Sequence, residues 1–91
     1  MIEDPNPSTE KEIIFIVGES IIKPKKEYIY TLGIPSNKEW LVDKKYPVKL
    51  EPFIDDKGNT CVKILWKSPY SGSFELSIGN YKKSIVVESL F

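Results

Sequence analysis

Few side chains in this sequence could do chemistry. The chain has one cysteine, Cys61, and no histidine, so a cysteine nucleophile would lack the imidazole that activates it in cysteine hydrolases. The sequence also has no paired-carboxylate motif for acid–base work and no glycine-rich loop that could hold a phosphate. These features predict that the protein is not an enzyme, that it uses no cofactor, and that Cys61 is a semi-exposed thiol without a catalytic role.

Three oxygen-bearing side chains, Asp55, Asp56 and Asn59, stand close enough in sequence to suggest a calcium loop. An EF-hand loop, however, supplies ligands from five or six spaced positions over about twelve residues. Here the series stops after three, and Gly58 and Asn59 are residues that tolerate the tight turn of a hairpin. The segment therefore predicts a hairpin turn and no metal site.

Aromatic and basic residues could serve binding instead of catalysis. Trp40, Trp66 and five tyrosines could stack on sugars or bases, but aromatic residues at strand spacing are more often core residues. The 13 basic residues balance 13 acidic ones. That balance predicts no nucleic-acid partner, and no stretch approaches the roughly 20 apolar residues of a membrane span.

From residue 12 onwards, the pattern of apolar and polar residues mostly has a period of two. Short alternating or β-branched segments are separated by turn residues about every ten positions, which is typical of an antiparallel β-sandwich. We expect an all-β domain of seven to nine strands over residues 12–91, preceded by a flexible N-terminal arm, residues 1–11. The alternation assigns six large side chains to the core: Tyr30, Trp40, Val62, Trp66, Phe74 and Leu76.

Residues 13–91 resemble an immunoglobulin-like module of the PKD-like kind. The resemblance rests on a Y-x-Y-x-L strand, a following strand with a tryptophan, a G-x-F-x-L-x-I strand after a turn, and a closing valine-rich strand. The chain departs from antibody domains in lacking paired inter-sheet cysteines, and from typical PKD repeats in lacking a W-x-F-G-D-G turn. The residues that match are Tyr28, Tyr30, Leu32, Trp40, Gly72, Phe74, Leu76, Ile78, Ile85, Val86 and Val87.

A free-standing immunoglobulin-like protein of this size resembles the small auxiliary, or decoration, proteins that coat the heads of tailed bacteriophages. Its lysine- and isoleucine-rich composition is similar to that of phages of gut Bacteroidetes, including the crAss-like group. The resemblance implies a structural virion protein, made in the host cytoplasm, that binds the major capsid protein or other virion subunits in many copies on a symmetric shell. The alternative is a binding module of a bacterial surface or secreted protein that recognises carbohydrate or protein.

Two segments are apolar on both faces, although a sandwich strand with solvent outside should be polar on one. They are residues 12–18 and the final strand, residues 84–91. If the two strands lie side by side at a sheet edge, their outward residues merge into a docking patch. The alternative is that the first strand crosses between the two sheets near Gly18, so that both faces meet the core. The predicted partner-binding residues are Ile14, Ile16, Val86, Leu90 and Phe91.

Overall fold

The computed structural model describes residues 16–34 and 36–89. Within these residues there are eight strands and no helix, which confirms the all-β prediction. The strands are β1 (Ile16–Val17), β2 (Ile21–Ile22), β3 (Glu27–Leu32), β4 (Trp40–Leu41), β5 (Val48–Ile54), β6 (Thr60–Trp66), β7 (Gly72–Ile78) and β8 (Tyr81–Val87).

The eight strands form two four-stranded sheets. The first sheet has the order β1-β3-β6-β5 and the second has the order β2-β8-β7-β4. Six pairings between neighbouring strands are described. All are antiparallel except the pairing of β2 with β8. The predicted arm, residues 1–11, lies outside the described residues, as does the start of the predicted first strand.

Alternation along each strand places one face of each sheet in a shared core. In β6, Val62, Ile64 and Trp66 are buried and alternate with side chains of the outer face, as the sequence predicts. All six predicted core residues are buried. The Trp66 ring stacks on Phe74 with centroids 5.6 Å apart, and its Nε1–H donates to the Tyr70 carbonyl oxygen at 2.8 Å. Burial of these large rings is the main source of stability in a domain this small.

The chain changes sheets between β1 and β2, and Gly18 lies at the crossing. A Cβ atom at Gly18 would lie 2.3 Å from Cδ2 of Tyr30, so the Tyr30 ring fills the space that any larger residue would need. The Tyr30 hydroxyl donates to the Glu19 carbonyl oxygen at 2.7 Å. Burial and the nearby Glu19 carboxylate both raise the pKa of that hydroxyl, which stays protonated as the donor. The chain therefore crosses between the two sheets near Gly18, while Val17 is 59% exposed, so the described part of this segment does not meet the core on both faces.

Two short hairpins join the long strands. Gly79 and Asn80 connect β7 to β8, with Gly79 at φ +59°, a conformation that glycine adopts without steric cost. Residues 55–59 connect β5 to β6. The second of these turns is the hairpin that the sequence predicts, and the predicted final strand begins at Tyr81 and ends at Val87, earlier than expected at each end.

Candidate functional site

An apolar pair of side chains marks the edge of the second sheet. Ile21 of β2 lies opposite Val86 of β8 in the parallel pairing. The side chains of Ile21 and Val86 are 54% and 45% exposed, while their neighbours Ile22 and Val87 are buried in the core. Because side chains alternate along a strand, the buried pair forces Ile21 and Val86 together onto the outer face. We call these two residues and their polar rim the β2/β8 surface.

Backbone hydrogen bonds hold the two strands in this register. The Val86 N–H donates to the Ser20 carbonyl oxygen at 2.8 Å, and the Glu88 N–H donates to the Ile22 carbonyl oxygen at 2.9 Å. The two acceptors, on Ser20 just before β2 and on Ile22, are two residues apart, and so are the two donors, on Val86 and on Glu88 just after β8, as a parallel ladder requires. The apolar pair therefore sits on a fixed backbone.

Polar side chains form the rim of the β2/β8 surface. Lys23 Nζ lies 3.2 Å from Glu88 Oε1, which closes one end of the surface with an ion pair. Lys83 Nζ donates to the Ser20 hydroxyl at 3.1 Å. On the outer face beside Val86, the neighbours are the small side chains of Ser73, its cross-strand partner, and Ser84. An apolar centre with a polar rim is the usual arrangement of a protein–protein contact.

The predicted partner-binding residues do not all lie on the outer face. Val86 lies on the outer face, as predicted. Ile16 is 1% exposed and faces the core opposite Leu32, so its assignment to an outward face is wrong. The reason is that alternation separates Ile16 from Val17 without showing which of them faces the core, and here the outward residue is Val17. Ile14, Leu90 and Phe91 lie outside the described residues.

Ile21 is the residue that sequence reasoning missed. It follows the crossing, in a two-residue strand that the predicted first strand, residues 12–18, does not include. The signal was present as an isoleucine pair just before Pro24, because two consecutive apolar residues in a strand must place one of them outward.

A second polar cluster occupies the hairpin between β5 and β6. Asp55 Oδ1 accepts hydrogen bonds from the backbone N–H groups of Lys57 and Asn59 at 2.9 and 2.8 Å. Asp55 Oδ2 accepts one from Asn59 Nδ2 at 3.0 Å. The donors from Asn59, then Lys57, lower the pKa of the Asp55 carboxyl. This carboxylate therefore acts as the hydrogen-bond acceptor of the turn.

The same hairpin covers Cys61. The register places Cys61 on the outer face opposite Thr31 and Phe53, as the alternation predicts. Its side chain is nevertheless buried, which corrects the expectation of a semi-exposed thiol. The thiol lies 3.5 Å from the Thr31 hydroxyl and 3.8 Å from Asp55 Oδ2, so the turn itself shields it from solvent.

Over residues 16–34 and 36–89, no group of three or more histidine, cysteine or acidic side chains could hold a metal ion. The described part of the chain contains no helix that is long and apolar enough to cross a membrane. No protein-family model, curated protein or solved structure matches the chain.

Proposed function

We propose that the chain is an immunoglobulin-like structural module that attaches to a large protein assembly through the β2/β8 surface, and that this assembly is a virion shell. In this proposal the major capsid protein or another virion subunit covers Ile21 and Val86. The resemblance to decoration proteins is the basis for proposing a virion shell. The exposed pair, Ile21 and Val86, is the basis for proposing the attachment surface.

The strand order supports the immunoglobulin-like part of the proposal. In a constant-type immunoglobulin sandwich, the first, second, fifth and fourth strands form one sheet, and the third, sixth and seventh form the other. If β1 and β2 are counted as two halves of the first strand, β3 to β8 become the second to seventh strands. The two observed sheets then have those same neighbours.

The observation that carries the attachment proposal is the adjacency of Ile21 and Val86 on one outer face. Two branched apolar side chains, each about half exposed, are held in register beside the small side chains of Ser73 and Ser84. Covering them removes apolar area from water, which stabilises a complex in proportion to that area.

A small contact is sufficient when many copies share one shell. Each module buries only a modest area at such an edge, below the area of standard stable complexes. On a symmetric particle, a second contact to the shell or to a neighbouring copy becomes intramolecular and raises occupancy without a larger interface. Attachment through a two-residue apolar centre is therefore compatible with high occupancy.

The test places a lysine at each position of the pair. Ile21→Lys and Val86→Lys put a charge into the proposed contact, and Leu41→Lys is the matched control because Leu41 is exposed at the opposite edge of the same sheet. The readout is the number of copies of each variant that are retained per particle. We expect about a tenfold loss for each test variant, from desolvating a charge and losing apolar contact, and parental occupancy for the control.

Thermal unfolding establishes first that all three variants fold as the parent does. Parental occupancy for both Ile21→Lys and Val86→Lys would exclude the β2/β8 surface as the attachment site.

A further inference from the structure

Exposed lysines gather at one end of the sandwich. β3 and β5 begin at this end and β6 ends there, because Glu27 lies opposite Leu65 and Val48 lies opposite Trp66. The loop between β2 and β3 and the loop before β5 supply two lysines each, and the residue after β6 supplies one. We call this group the lysine end; its members are Lys25, Lys26, Lys44, Lys45 and Lys67.

Backbone hydrogen bonds hold these three segments beside one another. The Lys25 N–H donates to the Trp66 carbonyl oxygen at 2.8 Å, and the Lys67 N–H donates to the Pro47 carbonyl oxygen at 2.8 Å. The lysines therefore stand on adjacent segments of a connected backbone, and their charges combine into one positive surface.

Acidic side chains at this end leave the surface positive. Glu27 is ion-paired with Lys63, and Glu88 is ion-paired with Lys23, so both carboxylates have partners outside the lysine end. Asp43 is the remaining carboxylate, and one of its oxygens accepts a backbone N–H. Among the described residues, no ion pair involves a member of the lysine end.

The complementary charge is present in the same chain. Residues 1–12 contain four acidic side chains and one lysine, a net charge of −3, and because the whole chain has a net charge of zero, residues 13–91 carry +3. Opposite charges on two parts of a molecule favour contact between them. We call residues 1–12 the acidic segment; its carboxylates belong to Glu3, Asp4, Glu10 and Glu12.

The acidic segment joins the sandwich at the end opposite the lysines. Ile16 pairs with Leu32, the last residue of β3, whereas the lysine end lies beyond the first residue of β3. The six residues of β3 span about 20 Å. Glu12 is four residues from Ile16, and four extended residues span at most about 14 Å, so only part of the segment could reach the lysine end of its own copy.

We propose that the acidic segment of one copy binds the lysine end of a second copy. A second copy placed end to end brings all four carboxylates within reach of the lysines. Each copy then uses a segment at one end and a surface at the other, so the contact is head-to-tail and repeats from copy to copy. It is separate from the β2/β8 surface and does not rest on the proposed function.

The aromatic residues at this end favour an acidic peptide over a nucleic acid. Proteins that bind single strands stack successive bases on several exposed rings. Here the rings of Tyr28 and Tyr46 are only partly exposed, and an ammonium group already lies over each, at 5.7 and 5.2 Å from the ring centroid. Tyr70 is the exposed aromatic ring beside the described lysines, and one ring does not make a stacking platform.

The experiment compares the parent with three double variants that each reverse two charges. They are a segment variant, an end variant and a control at the other end of the sandwich: Glu3→Lys/Glu10→Lys, Lys44→Glu/Lys67→Glu and Lys38→Glu/Lys57→Glu. ¹H–¹⁵N spectra are recorded at low salt while the protein is diluted from millimolar concentration. We expect the amide signals of residues 44–47 and 66–68 to shift on dilution in the parent and the control, and to stay in place in the other two variants.

Mixing shows that the contact forms between copies. The ¹⁵N-labelled segment variant keeps the lysine end, and the unlabelled end variant keeps the acidic segment, so their mixture contains both halves of the contact. We expect the end variant to restore the shifts in the labelled protein, and an unlabelled segment variant to leave them unchanged. Raising the salt from about 20 to about 300 mM should reduce the restored shifts several-fold, because salt screens exposed charges.

Three results would overturn the proposal. The first is a parent spectrum that does not change on dilution, because the acidic segment would then bind no second copy. The second is a mixture of the two variants that restores no shift. The third is a single-stranded oligonucleotide that moves the same signals when the acidic segment does not. All three are read on the free protein, so they are independent of attachment through the β2/β8 surface.

Discussion

At the scale of single residues, Asp55 shows how one side chain holds a turn. Its two oxygens accept three hydrogen bonds from Lys57 and Asn59, which close the hairpin between β5 and β6. Asp56, its neighbour, is exposed and makes none of these bonds. The sequence alone treats the two aspartates alike, since both are good turn residues. Only the backbone path of the turn decides which of them is the acceptor.

This difference predicts a pH dependence of stability. The pKa of Asp55 is lowered in the folded state. As the pH falls, the unfolded chain therefore takes up a proton at this carboxyl before the folded protein does. The stabilisation is present at neutral pH, above the ordinary aspartate pKa of about 3.9, and is lost as the pH falls through the lower folded value.

Urea unfolding at neutral and acid pH measures this contribution. We expect Asp55→Asn to lose less stability on acidification than the parent, and Asp56→Asn to behave as the parent. The Lys49–Glu51 pair also lowers the pKa of Glu51, so some acid sensitivity should remain in every variant. An acid sensitivity of Asp55→Asn equal to that of the parent would contradict the role of Asp55.

At the scale of elements, the crossing between β1 and β2 depends on Gly18. Gly18→Ala would force a Cβ into the Tyr30 ring, and we expect it to lower the free energy of unfolding by about 2 to 3 kcal/mol. Gly58→Ala is the control, because its Cβ would meet no atom within 4 Å and the cost of a positive φ is only about 1 kcal/mol. Urea titration of both variants gives the comparison. Equal destabilisation would mean that the Tyr30 ring does not define the crossing.

The packing of the two sheets against each other predicts that truncating Trp66 lowers stability more than Gly18→Ala does. Trp66→Ala removes the ring that stacks on Phe74 and leaves a cavity, at a cost of about 3 to 5 kcal/mol. Tyr70→Ala keeps the backbone carbonyl that Trp66 bonds and should change stability by less than about 0.5 kcal/mol. Thermal melts of the two variants are sufficient, and a Trp66→Ala melting temperature close to that of the parent would contradict this packing.

At the scale of the whole molecule, alternation was sufficient to predict the class of fold and the inward face of β6, because period two depends only on local geometry. It was not sufficient to predict the β2/β8 surface. Ile21 and Val86 are far apart in sequence, and β2 and β8 pair in parallel, so no hairpin turn in the sequence indicates that they are neighbours. Ile16 shows the same limit, since alternation determines which residues share a face but not which of the two faces is inward.

In our proposal the protein attaches to its assembly through the β2/β8 surface. Hydrogen exchange followed by mass spectrometry, on the free protein and on the particle-bound protein, reports which backbone amides become protected on attachment. We predict added protection in residues 20–23 and 84–88 and unchanged exchange in the hairpin of residues 55–59. Protection confined to that hairpin and to residues 36–39, with none at β2 and β8, would contradict the claim.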